Sequence, residues 1–218
     1  ALHLSHLRVN VRLYDGQAAA VLKQAAEEAR AIGARLEVAV WVSDDADEEL
    51  NAFRQVVDAV RPLVVRWLIF HRGERSTGER WVNLARLYLA DYDPEARLGA
   101  GTDAYFTELN RGRPPVEALD LVTYSLNPQV HSFSNLDLVE TLTTQAVTVA
   151  SAQQFCGGKP VAVGPVTLKI RWNPDASGPE PPAPPGELPR QVDARQMSLF
   201  GAGWTMGSIK YLAEGGAH

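Results

Sequence analysis

Short apolar runs alternate with residues at helical spacing through most of this chain, and that alternation restricts the fold more than any other feature. Leu7–Leu13 reads as a strand, followed by Val21, Leu22, Ala25, Ala29 and Ile32 on one helical stripe closed by Gly33. Leu36–Val42 is a second strand, apolar on nearly every position, as expected where both faces are covered. Ser43-Asp44-Asp45 predicts a cap for a helix bearing Leu50, Phe53, Val57 and Val60. Leu63–Phe70 is a third strand, with a helix marked by Trp81, Leu84, Leu87 and Tyr88 after it. Arg97–Thr107, Leu121–Leu126 and Val161–Leu168 complete a set of six, with a long helix over Leu138–Ala150 and a final one bearing Met197, Phe200, Trp204 and Leu212.

Strand–helix repeats with short connections imply a parallel sheet, because right-handed crossovers return each strand beside the last. An open dinucleotide-binding sheet wants G-x-G-x-x-G in its first turn, which here reads Tyr14-Asp15-Gly16-Gln17. No G-x-x-x-x-G-K-[ST] occurs either. The expected fold class is therefore α/β, of the (β/α)8 TIM-barrel type, with about six βα units where a closed barrel has eight. Residues 1–218 read as a single, incomplete barrel domain with a proline-rich excursion at 174–189. The ending Gly215-Gly216-Ala217-His218 reads as a helix cap before a strand that does not follow.

The overall balance narrows the partners. Net charge is -5, and the basic residues are scattered among acidic ones, so nothing favours nucleic acid. No apolar run approaches the ~20 residues of a membrane span, and no secretory leader is visible. One cysteine, Cys156, excludes an internal disulfide framework and makes a reducing, cytoplasmic location the default. A barrel short of two strands leaves open edges, which favours homo-oligomers.

Function in parallel β/α folds collects where strands end. Strand three ends in His71-Arg72-Gly73-Glu74, and strand four runs into Asp103, Tyr105, Glu108, Asn110 and Arg111. Tyr124, Asn127, Gln129 and His131 lie on or after strand five, and Arg171 and Asn173 after strand six. Such amides, carboxylates, arginines and aromatics suit polyhydroxylated ligands. Asp103, Glu108 and His71 are the catalytic candidates, and the others are candidate substrate contacts. Each has a plainer alternative: a strand-end hydrogen bond for Asp103, a loop ion pair for Glu108, a satisfied core imidazole for His71. In an extended strand, Asp103 and Glu108 would point to opposite faces. No H-x-H or H-E-x-x-H motif suggests a metal, and no cofactor is expected. Cys156 reads as inert packing, and Ser125 lacks a G-x-S-x-G elbow.

Several of these segments carry a specific resemblance. Gly101–Arg111, Tyr124–His131, Gly164–Leu168 with Arg171–Pro174, and Gln191–Asp193 with Arg195–Gly201 closely resemble the barrel domain of the D-apionate lactonase family. The resemblance runs over essentially the whole chain and implies a sugar-acid lactone hydrolase of bacterial sugar catabolism. It also implies further strands before and after this chain, one ending in a glutamate-containing motif. The barrel looks like those of retaining glycosidases, which commonly carry Asn directly before the acid/base Glu. Here Thr107 precedes Glu108 and Asn110 follows it. Three functions are thus expected: hydrolysis of a sugar-acid lactone first, with Arg111, Asn127 or Gln129 as oxyanion donors. A retaining glycosidase with Glu108 as acid/base is second, and a non-catalytic carbohydrate-binding barrel third.

Overall fold

The computed structural model describes residues 3–171 and 182–218. Its sheet has six strands in chain order: β1 His6–Arg12, β2 Arg35–Val42, β3 Val64–His71, β4 Arg97–Thr102, β5 Leu121–Leu126 and β6 Val161–Val166. Between and after them come α1 Ala18–Ile32, α2 Ala46–Val60, α3 Glu79–Leu89, α4 Phe106–Gly112, α5 Asn135–Glu140, α6 Thr144–Gln153 and α7 Leu199–Glu214. The α/β class and the six strands agree with the expectation. Residues 182–189 of the expected excursion hold no helix or strand, and 174–181 lie outside the described residues. The chain divides into two compact units, residues 1–101 with 112–122, and residues 102–111 with 123–218.

In the first unit, β1 pairs parallel with β2, β2 with β3, and β3 with β4. Strand side chains alternate between faces, so the register fixes which residues meet the helices. Trp67 meets Phe53 of α2 edge-on, with ring centroids 6.2 Å apart. Val38, Ile69, Leu98 and Ala100 share the Trp67 face through the strand register and are buried. Leu22, Leu50, Val57 and Val82 of α1, α2 and α3 are likewise buried.

The opposite face carries Arg8, Glu37 and Arg66 in adjacent register. Glu37 interrupts the run read as apolar, and it is buried because two cations meet it. Arg66 Nε donates to its carboxylate at 2.5 Å, and Arg8 Nη1 lies 3.4 Å away. Removing one member of such a group leaves a buried charge unpaired, which costs more than the intact group contributes.

Local chemistry sets the helix ends. Gly33 closes α1 in the left-handed region at φ 69°, where its N–H meets the Ala29 and Arg30 carbonyls. Before α2, the Glu49 carboxylate accepts the Ser43 N–H and hydroxyl, while the Asp45 N–H donates to Ser43 Oγ. In the second unit, the Tyr124 hydroxyl shares a 2.7 Å hydrogen bond with Thr148 of α6, and its ring meets Phe106 of α4. The long helix expected over Leu138–Ala150 forms as α5 and α6, joined by a 3-10 turn at Thr141–Thr143.

Strand four is shorter than expected. It stops at Thr102, whose hydroxyl accepts the Ala104 N–H, and the chain then turns into α4. A β-strand hydrogen-bond ladder does not survive such local side-chain competition.

Gly99 marks the closest backbone approach inside β4. A Cβ there would sit 2.6 Å from Leu121 Cγ. Gly99→Ala should therefore destabilise the protein by about 1–3 kcal/mol, read as a lowered urea midpoint with unchanged m-value.

Candidate functional site

The second unit brings together the polar groups that follow β4, β5 and β6. Tyr124 points to the helices, so its neighbours Thr123 and Ser125 point to the opposite face. Ser125 Oγ donates to Asp103 Oδ1 at 3.0 Å and lies 3.3 Å from the Gly164 carbonyl of β6. One hydroxyl has one proton, and the shorter, charge-assisted contact to the carboxylate takes it. Asp103 is buried, at 8% exposure, so its carboxylate sits in this polar cluster and not in open solvent. Asn127, one step past β5 at the same parity as Ser125, keeps its Oδ1 buried without a hydrogen-bond partner.

Glu108 is on α4 and not on an extended strand, so the expected opposition of Asp103 and Glu108 by strand parity does not apply. Its side chain is buried, and Arg111 Nη1 donates to Oε1 at 2.8 Å across one helical turn. Arg111 itself is largely exposed. Asn110 is exposed on the same helix, and Tyr105 is half-buried just before it. His131 and Arg171 are exposed on the loops after β5 and β6, and Asn173 lies outside the described residues.

Two of the expected substrate contacts are occupied by structure. Tyr124 is fully buried between sheet and helices, which leaves its hydroxyl on Thr148 and no ring surface for a sugar. Gln129 spends its whole amide on protein: Nε2 donates to the Leu168 carbonyl and to Asp193, and Oε1 accepts from Arg195. That removes it as an oxyanion donor.

His71 is in the first unit and at the parity of Trp67 and Ile69, facing the helices. It stacks flat on Trp81 of α3, with centroids 4.2 Å apart and planes 4° apart. Its Nδ1 accepts the Gly73 N–H, and its buried Nε2 lies 3.5 Å from Asp44. The imidazole is thus packed in the core, as the plainer alternative had it, but it is satisfied only at Nδ1, since Nε2 has no hydrogen-bond partner. Glu74, beside it, accepts from Trp81 Nε1 and the Gly78 N–H and orders the turn into α3.

Sequence reasoning missed Arg195. Its guanidinium donates to both carboxylate oxygens of Asp193, and also to Gln129, Asn135 and the Phe133 carbonyl. This one side chain ties the loop after β5 to the segment entering α7, and Gln129 carries the tie on to Leu168 after β6. Asp193 also accepts the Arg195 backbone N–H, capping the 3-10 turn there. The Arg195 guanidinium holds the Asp193 carboxyl well below the usual carboxylate range, against the opposing effect of burial, with Gln129 helping. In the sequence, Asp193 and Arg195 stand out only as members of the segments that resemble the family. Cys156 is buried, and burial pushes its thiol up to about 11, far from a reactive thiolate. Among the described residues, no group of three His, Cys, Asp or Glu side chains could hold a metal ion, and no helix is long and apolar enough to cross a membrane.

The depressed Asp193 pKa carries a definite sign. Its contribution to stability is fully present above the ordinary carboxylate value of about 4 and is lost as pH falls below it toward the folded value. Asp193→Asn should cost about 2–4 kcal/mol near neutrality and show a shallower loss of stability on acidification than the parent. Urea titrations at pH 7 and pH 3 measure both.

Comparison with known proteins fits this arrangement. A D-apionate lactonase of Brucella anthropi is 43% identical over 84 residues, which is 38% of this chain and 14% of that relative. The matched stretch thus spans a small part of the relative's length. Among solved structures, one of two fungal β-1,4-galactanases aligns with TM-score 0.53 at 16% identity, covering 75% of this chain and 62% of the other. That likeness is one of fold. An endo-β-1,4-mannanase from Thermotoga petrophila aligns at TM-score 0.43 and 12% identity, over 70% and 46% of the two chains. The TIM barrel domain of D-apionate lactonase matches residues 1–218, and the chain belongs to that family.

Proposed function

We propose that the chain takes part in hydrolysis of a sugar-acid lactone of the D-apionolactone kind. The observation that carries this reading is the Asp103–Ser125 pair, just past β4 and on β5, with Asn127 two residues after Ser125 at the same strand parity. Asp103, oriented by the Ser125 hydroxyl, acts as general base on a water molecule. The activated water adds to the lactone carbonyl, and the Asn127 amide N–H steadies the oxyanion that forms. Collapse of that adduct breaks the ring C–O bond, and the proton taken by Asp103 goes to the departing alkoxide. Glu108, held by Arg111, supports α4 behind Asp103 in this scheme. Asn110 and Tyr105 are the nearest sources of hydrogen bonds to the sugar hydroxyls.

The family membership supports the lactone over the glycoside. So does the placement of Glu108 on a helix in an ion pair, which is not the strand-end setting of a glycosidase acid. Bacterial sugar catabolism and a cytoplasmic, self-associating protein acting without nucleic acid, membrane or cofactor complete the reading.

Incubation of the protein with D-apionolactone, followed by proton NMR, tests it. Ring opening should run well above the buffer rate, while an aryl β-galactoside stays intact. Equal rates with and without protein, or cleavage of the glycoside alone, would contradict the proposal.

A further inference from the structure

The ends of β1, β2 and β3 carry a second polar cluster, in the first unit, that the reading above does not use. The register sets Arg12 level with Trp41 and Trp41 level with Phe70, all on the face turned away from the helices. The Trp41 and Phe70 rings lie 5.1 Å apart. Arg72 follows Phe70 at the same parity, and its guanidinium carbon lies 5.3 Å from the centre of the Tyr14 ring. Burial raises the pKa of the half-buried Tyr14 phenol, with Asp15 and Glu49 adding to it, while Arg12 and Arg72 pull it down.

The two arginines differ from the other strand-borne cations of this unit. Arg8 and Arg66 are partnered by Glu37, whereas Arg12 and Arg72 are exposed and hold no carboxylate among the described residues. The nearby acids are engaged elsewhere. Asp15 accepts the Gln17 N–H, and Glu49 is held by Ser43. Two guanidinium groups that hold no carboxylate among the described residues, one over the Tyr14 ring and the other level with Trp41, make a fork for a planar anion with a polar hydroxyl-bearing tail.

We propose that Arg12 and Arg72, together with Tyr14, form a subsite for the carboxylate of a small polyhydroxy acid. The anion seats bidentately on the guanidinium groups, and the Tyr14 hydroxyl donates to it or to an adjacent substrate hydroxyl. Lactone hydrolysis turns a neutral ester into such a carboxylate, so the subsite would hold the product more tightly than the substrate. The choice of a sugar acid rests on the proposed function. The anion site itself rests only on these residues.

Isothermal titration of the protein with sodium D-apionate, and with neutral erythritol as control, tests the proposal. Apionate should bind and erythritol should not, and Arg12→Gln with Arg72→Gln together should weaken apionate binding about tenfold or more. Arg72→Gln alone, at an exposed side chain, serves if the double variant does not fold, and it should weaken binding severalfold. Absence of apionate binding, equal binding of erythritol, or binding unchanged by Arg72→Gln would overturn the subsite. Apionate binding without lactone turnover would remove the proposed function and leave the subsite standing. Turnover without apionate binding would do the reverse.

Discussion

The two-residue period of the parallel strand is the constraint on which everything else in this protein depends. Each strand sends alternate side chains to the helices and to the opposite face, and no residue can change sides without breaking the ladder. The helix-facing set is packed and dry, with Trp67 on Phe53 and Tyr124 against α4 and α6. The opposite set carries the charges: Glu37 between Arg8 and Arg66 in the first unit, and Asp103 with Ser125 in the second. Charged and apolar side chains of the strands are thereby separated by parity before any loop is considered.

Polar groups are accommodated in two ways, and the difference decides their use. Gln129, Asp193 and Arg195 satisfy one another so completely that nothing is left for a ligand, and their effect is to hold loops in place. An ion pair of this kind rigidifies because breaking it strands a charge in a poorly solvated place. Asp103 accepts from the Ser125 hydroxyl, and Asn127, two residues further along, keeps a buried acceptor that no protein group meets.

Much of the architecture was legible because it follows from periodicity. The strand and helix order, the glycine end of α1 and the Ser43 cap region were all readable from spacing and turn chemistry. What escaped the reading depends on partners distant in sequence. Glu37 looked like part of an apolar strand because Arg66, its partner, is 29 positions away. Arg195 gave no local sign that it would reach Gln129, 66 positions before it. His71 and Tyr124 stand at strand ends, where ligands are met, but their parity turns them to the helices. Conversely, strand four was drawn five residues too long, since Thr102 ends it by a side-chain hydrogen bond that periodicity does not register.

The face assignment is tested most directly by comparing two variants on one substrate. Turnover of D-apionolactone by Asp103→Asn should fall by about 10²–10⁴-fold relative to the parent, the usual size of a general-base contribution. His71→Gln, at a helix-facing imidazole, should keep turnover per folded molecule within a few-fold of the parent. A large loss in His71→Gln alongside full activity in Asp103→Asn would contradict the account.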